Sequence, residues 1–130
     1  MIHFQHSYNN YRVGHLLVKM TKEQEISRIK KLVSTAKSIV TGQVGLTIGS
    51  FTLSNKLSCL GNDWEAKFPV FNEYRSVLPL DIPVGTERLT WKLEKILEVD
   101  PILAKIENKH RSEILEACVN IIKEYGQKEK

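Results

Sequence analysis

Cysteine is almost missing from this chain. The 130 residues hold two, Cys59 and Cys118, far apart in sequence. One pair cannot make a disulfide framework, and no CxxC metal spacing occurs. Both stand in apolar helical contexts and read as buried free thiols. Long apolar runs are missing too. None approaches the ~20 residues that span a bilayer. The opening stretch "MIHFQHSYNNYRVGHLLVK" has neither the continuous apolar core nor the small-residue cleavage site of a signal peptide. These absences make the cytoplasm the expected location, with no membrane partner.

A large excess of one charge is also lacking. The formal net charge is +4, and Arg12 and Lys19, with no acid among residues 1–19, supply half of it. The rest is close to balanced, so basicity argues only weakly for a phosphate partner. Lys22, Arg28, Lys30, Lys31 and Lys37 cluster on one helical stretch, where clustered cations can neutralise phosphates. Glu23 and Glu25 dilute them, and the pattern reads as the solvated face of a helix.

The signatures of the common chemistries are absent as well: no GxGxxG, no GxxxxGK[ST], no HExxH and no GxSxG. His3, His6 and His15 lie in an unpatterned N-terminus and read as solvated, not as metal ligands. His110 falls on an apolar stripe with Glu107 and Glu113 about one turn away on either side. Such a histidine can serve as a base near neutral pH, but nothing pairs it with a nucleophile. A core-edge histidine satisfied by a glutamate is the expectation. No catalytic activity, cofactor or metal is expected.

What the chain does have is helical periodicity. Residues 1–19 show no sustained period and read as a tail or a start extension, with Met20 an equally good first residue. "TKEQ" is a capping box, with Thr21 as N-cap and Gln24 three residues on. From there Ile29, Leu32, Val33, Ala36, Ile39 and Val40 recur at three- and four-residue steps as far as Gly42, which predicts a helix over 21–41.

Leu46, Ser50, Leu53, Leu57 and Leu60 predict a second helix, ended by Gly61. Gly45, Gly49 and several hydroxyl residues weaken it, and a short strand over 44–48 competes. "NDWEAKFPVFNEYRSVL" predicts one or two short helices broken at Pro69, and Pro79 and Pro83 keep "LPLDIPVG" extended.

After Gly85, Leu89, Leu93, Ile96 and Leu97 return to helical period. Asp100 and Pro101 read as a restart, N-cap and first helical residue. The last helix then carries Leu103, Ile106, His110, Ile114, Ala117, Ile121 and Tyr125 up to Gly126. Such stripes bury only against each other. The fold expected is an all-α, single-domain bundle of four to five helices with a long C-terminal helix. It covers 20–126 and is followed by a polar tail at 127–130.

The most pointed stretch is "IPVGTERLTW", residues 82–91. Pro83 and Gly85 shape the chain into a helix start. Arg88 and Trp91 stand three apart and share a face. Trp91 is expected to pack in the core, and Arg88 to pair with an acid on the last helix, Glu107 first. A second possibility makes Arg88, Trp91 and the loop before them a binding edge, since Trp and Arg dominate interface energetics. Acids accumulate nearby at Glu87, Glu94, Glu98, Asp100, Glu107, Glu113 and Glu116, interleaved with lysines at 92, 95, 105 and 109.

Three segments in order, "AKSIVTGQVGLTIGSFTLSNKL", "IPVGTERLTW" and "EVDPILAKIENKHRSEILEACVNIIKEY", resemble a family of small bacterial helical proteins of unknown function. That family carries an I/L-P-x-G-x-x-R-x-x-W pattern, then a helix with an acid, an arginine and Ala-Cys. Here these fall on Pro83, Gly85, Arg88 and Trp91, then Glu107, Arg111, Ala117 and Cys118. A Cys-Arg pair of the family reads Ser50-Phe51, and the approach to the proline is the more apolar "VLPLDI". The resemblance implies an all-α fold and no established catalytic role. By association it also implies a protein like the immunity proteins encoded beside bacterial toxins. The function expected is thus a non-catalytic protein-binding module neutralising a basic toxin domain through Asp81, Glu87, Arg88, Trp91, Glu94 and Glu98. A nucleic-acid-associated regulator is the alternative.

Overall fold

A computed structural model describes the backbone of residues 10–13 and 16–19 and the whole of residues 20–78 and 91–126. Two short strands, β1 (Asn10–Val13) and β2 (Leu16–Lys19), pair antiparallel with Asn10 opposite Lys19 and Val13 opposite Leu16. This part of the N-terminal segment therefore forms a hairpin, and β1 lies against a helix of the bundle. Periodicity missed it because four-residue strands are too short to show an alternation.

The bundle is all-helical. α1 (Lys22–Val40) starts at the predicted capping box: Gln24 N–H donates to Thr21 Oγ1 at 3.1 Å, and Thr21 N–H donates to Gln24 Oε1 at 3.0 Å. Its buried face is Ile29, Leu32, Val33, Ala36 and Ile39. Val40, expected on that face, is exposed. Glu25, expected on the solvated side, is buried instead.

α2 (Leu46–Leu60) turns its back on the competing strand at 44–48. Its two unfavourable features have tertiary reasons. At Gly49 a Cβ would lie 2.8 Å from Ile39 Cδ1 and closer still to Cγ1, so α1 and α2 approach through a position only glycine leaves open. Thr47, Ser50 and Ser54 point inward and are buried. Gly61, at φ 126°, ends the helix and donates its N–H to Leu57 O at 3.1 Å. Cys59 is exposed, against expectation. It stands nine residues after buried Ser50, which at about 100° per residue is half a turn away.

α3 (Asn62–Lys67) and α4 (Val70–Val77) flank the predicted break at Pro69. Trp64, Phe68, Phe71 and Tyr74 bury from this short pair.

α5 (Leu93–Tyr125) is one uninterrupted 33-residue helix, roughly 50 Å long at 1.5 Å per residue. The restart at Asp100–Pro101 does not occur, and Pro101 sits inside the helix. Proline removes the donor to the carbonyl four residues back. That carbonyl belongs to Leu97, and both residues are exposed, so water can take up the bond. The helical start expected just after Gly85 falls in part outside the described residues. Trp91 and Lys92 precede the helix, with Lys92 extended at φ −69°, ψ 145°.

α5 packs along α1, α2 and α4. Ile114, Cys118, Ile121 and Tyr125 are buried, with Leu103, Ile106 and Ala117 partly so. The first two turns are different: Val99 alone is buried there.

Candidate functional site

Among the described residues, no part of the core cluster covers the start of α5. Leu93 and Leu97 are 68% and 62% exposed, one turn apart. Beside them, also one turn apart, stand Glu94 and Glu98, both exposed. At about 100° per residue the two pairs form neighbouring stripes, one apolar and one acidic. Lys95 Nζ lies 3.7 Å from Glu98 Oε2, an exposed contact of the kind that contributes little to stability. Trp91 precedes the stripes and is half-buried. It is outside the core cluster in which it was expected. Asp81, Glu87 and Arg88 lie outside the described residues. Of the six expected partner-binding residues, Trp91, Glu94 and Glu98 are therefore placed together, within eight positions of each other at one end of α5.

Leu93 and Leu97 were read from periodicity as core-facing. Period identifies a helix and a stripe, but whether the stripe finds a partner depends on how far the bundle extends along it. Among the described residues the core cluster meets α5 from Leu103 onward, and Val99 is buried outside it.

Further along α5 lies a polar seam. Glu107, first choice as the partner of Arg88, takes the Thr47 hydroxyl: Thr47 Oγ1 donates to Glu107 Oε2 at 2.5 Å. Thr47 Oγ1 is also 2.7 Å from the Tyr74 hydroxyl. Thr47 has one proton, and an ionised carboxylate only accepts. The order is therefore Tyr74 to Thr47 to Glu107, a relay through α4, α2 and α5. Tyr74 is 0% exposed. Burial raises its pKa and Glu107 adds to the rise, while Arg111 opposes it.

One turn along α2, Ser50 Oγ is buried without a hydrogen-bond partner. One turn further, Ser54 Oγ donates to Asn72 Oδ1 at 2.6 Å. His110 is satisfied by a backbone carbonyl and not by a glutamate, with Nδ1 2.9 Å from Ile106 O. Its ring lies 5.3 Å from that of Tyr74. This constellation fastens three helices. No reactant can reach a phenol that is fully enclosed. The signal for it was in the sequence: hydroxyls at 47, 50 and 54, on one face of a helix.

The basic face of α1 is also altered by packing. Lys22, Lys30, Lys31 and Lys37 are exposed, but Arg28 is half-buried. It donates to Cys59 O at 2.9 Å and to Met20 Sδ at 3.7 Å, tying α1 to the end of α2. His3, His6 and His15 lie outside the described residues. Among the described residues, no helix is long and apolar enough to cross a membrane. Compared with protein-family models, with curated proteins and with solved structures, the chain matches none.

Proposed function

We propose that this protein is a non-catalytic binding module that works by occupying a partner's surface, as an immunity protein occupies a toxin. The observation that supports this reading most is the pair Leu93 and Leu97, left exposed beside Glu94 and Glu98. Apolar side chains of this size supply docking energy when covered, at about 25 cal/mol per Å². Flanking carboxylates select a basic partner, speed the encounter and make it salt-dependent. Trp91, half-buried at the same end, is of the residue type that anchors interfaces. A surface already folded as a helix loses less entropy on docking than one that must first be ordered. The resemblance to a family of small helical proteins agrees with this reading, under which the module acts in the cytoplasm on a basic toxin such as a nuclease.

The test is co-expression with the product of the adjacent reading frame in the native host. A stable complex and protection of the cells are expected. Glu94→Lys with Glu98→Lys, or Leu93→Ser with Leu97→Ser, should abolish both without unfolding the protein. The exposed lysines of α1 favour the alternative, a nucleic-acid-associated regulator. Recovery of nucleic acid alone, lost on neutralising Lys30 and Lys31, would replace the first reading with that one.

A further inference from the structure

At the far end of α5 from the docking edge, a groove of about 570 Å³ opens between α3 and the last turns of α5, lined by Lys67, Phe68, Asn120, Lys123 and Glu124. It is within the range of small-molecule sites, roughly 300–1,000 Å³.

Its chemistry is set by one fixed ammonium. Lys67 Nζ donates to the Tyr125 hydroxyl at 3.0 Å. It also lies 4.9 Å from the centre of the Trp64 ring and 5.6 Å from that of Tyr125. Tyr125 is itself buried, its ring tilted 42° against that of Trp64 with centres 4.7 Å apart, so the post that holds the lysine is rigid. One of three ammonium protons is used by the phenol, which leaves two for a ligand. Burial keeps the Tyr125 phenol protonated, and the charge and hydrogen bond of neighbouring Glu124 act in the same direction.

We propose that this groove binds a small organic carboxylate with an apolar or aromatic body. Two ammoniums and one carboxylate line it, a local charge of +1 that suits a monoanion. A dianion would place surplus negative charge against Glu124. Phe68 and the lysine stems offer an apolar wall, and Asn120 supplies an amide that can donate to the second carboxylate oxygen. The pre-positioned Lys67 lowers the ordering cost of binding. This site is independent of the docking edge and stands or falls apart from it.

The probe is benzoate, titrated into the full chain carrying Trp91→Phe, so that Trp64 is the remaining tryptophan of two. A ligand that draws on Lys67 changes the cation–π contact and with it the Trp64 emission. A saturable change is expected, together with a rise in melting temperature at saturating benzoate. Lys67→Gln removes a ring contact of its own, so Lys123→Gln is the deciding variant. It should weaken binding at least about five-fold, or roughly 1 kcal/mol. Benzamide, the neutral isostere, and inorganic phosphate should give neither signal. Absence of saturation, an unchanged affinity in Lys123→Gln, or an equal response to benzamide or phosphate would overturn the proposal.

Discussion

The hydroxyl of Thr47 and the carboxylate of Glu107, sixty positions apart in the chain, meet at 2.5 Å with the Tyr74 phenol behind them. Removing the middle of this relay strands a buried phenol at one end and a carboxylate at the other. Thr47→Val should destabilise the bundle by about 1–3 kcal/mol, read as a lower urea midpoint at unchanged slope. Thr47→Ser, which keeps the hydroxyl, should cost clearly less. Combined with Glu107→Gln, the loss should be smaller than the sum of the single losses. Strict additivity would mean that the two side chains do not act together.

Ser50 presents the reverse case. Its hydroxyl is 0% exposed and without a partner, so it carries a desolvation cost and returns nothing. Ser50→Ala also improves helix propensity. The variant should be at least as stable as the parent, by up to about 1 kcal/mol. A clear loss of stability in thermal melting would show that the hydroxyl is bonded in solution.

Gly49 tests the approach of α1 and α2. Alanine is ordinarily better than glycine in a helix by about 1 kcal/mol. Here its methyl would collide with Ile39, 2.8 Å from Cδ1 and closer to Cγ1. Gly49→Ala should therefore destabilise by about 1–3 kcal/mol. The penalty should shrink in an Ile39→Ala background, where the colliding atoms are gone. An equal penalty in both backgrounds would place the contact elsewhere.

Pro101 interrupts the hydrogen-bond ladder of a continuous helix. If α5 is one helix, Pro101→Ala restores the missing donor and should raise stability by about 1–3 kcal/mol. Were residue 101 the first position of a separate helix, the same change would be close to neutral or harmful. Melting temperature separates the two.

Alkaline pH should loosen the fold through groups that burial keeps protonated. The Cys118 thiol is pushed from its ordinary 9.0 up to about 12 by desolvation. Burial shifts the Tyr74 and Tyr125 phenols the same way. Each raised pKa means that the unfolded chain releases its proton first. The stability these groups carry is whole below their unfolded pKa values and falls as pH rises from about 9 toward 12. Denaturation midpoints should drop over that window, and less steeply in Cys118→Ala. In the native state a thiol reagent should modify Cys59 at once and Cys118 only after unfolding.

The elements that could be read from the chain are those fixed by contacts a few residues long. The Thr21–Gln24 box starts α1 where the four-residue pattern places it. Gly61 and Pro69 break the chain where backbone geometry alone requires a break. The periodic stripe of α5 from Leu103 to Tyr125 faces the core because a long amphipathic helix in a bundle has no other place to bury it.

What remained hidden depends on neighbours distant in sequence. The Asp100–Pro101 pair carries the local signal of a helix start, yet the ladder continues through it. Leu93 and Leu97 have the right period for a core that does not extend to them. Glu107 meets Thr47, Arg28 reaches the end of α2, and Lys67 is held by a tyrosine 58 residues away. Local pattern specifies which side of a helix is apolar. Only the packed fold decides where the packing ends, and so which leucines stay in water and which lysine faces a groove.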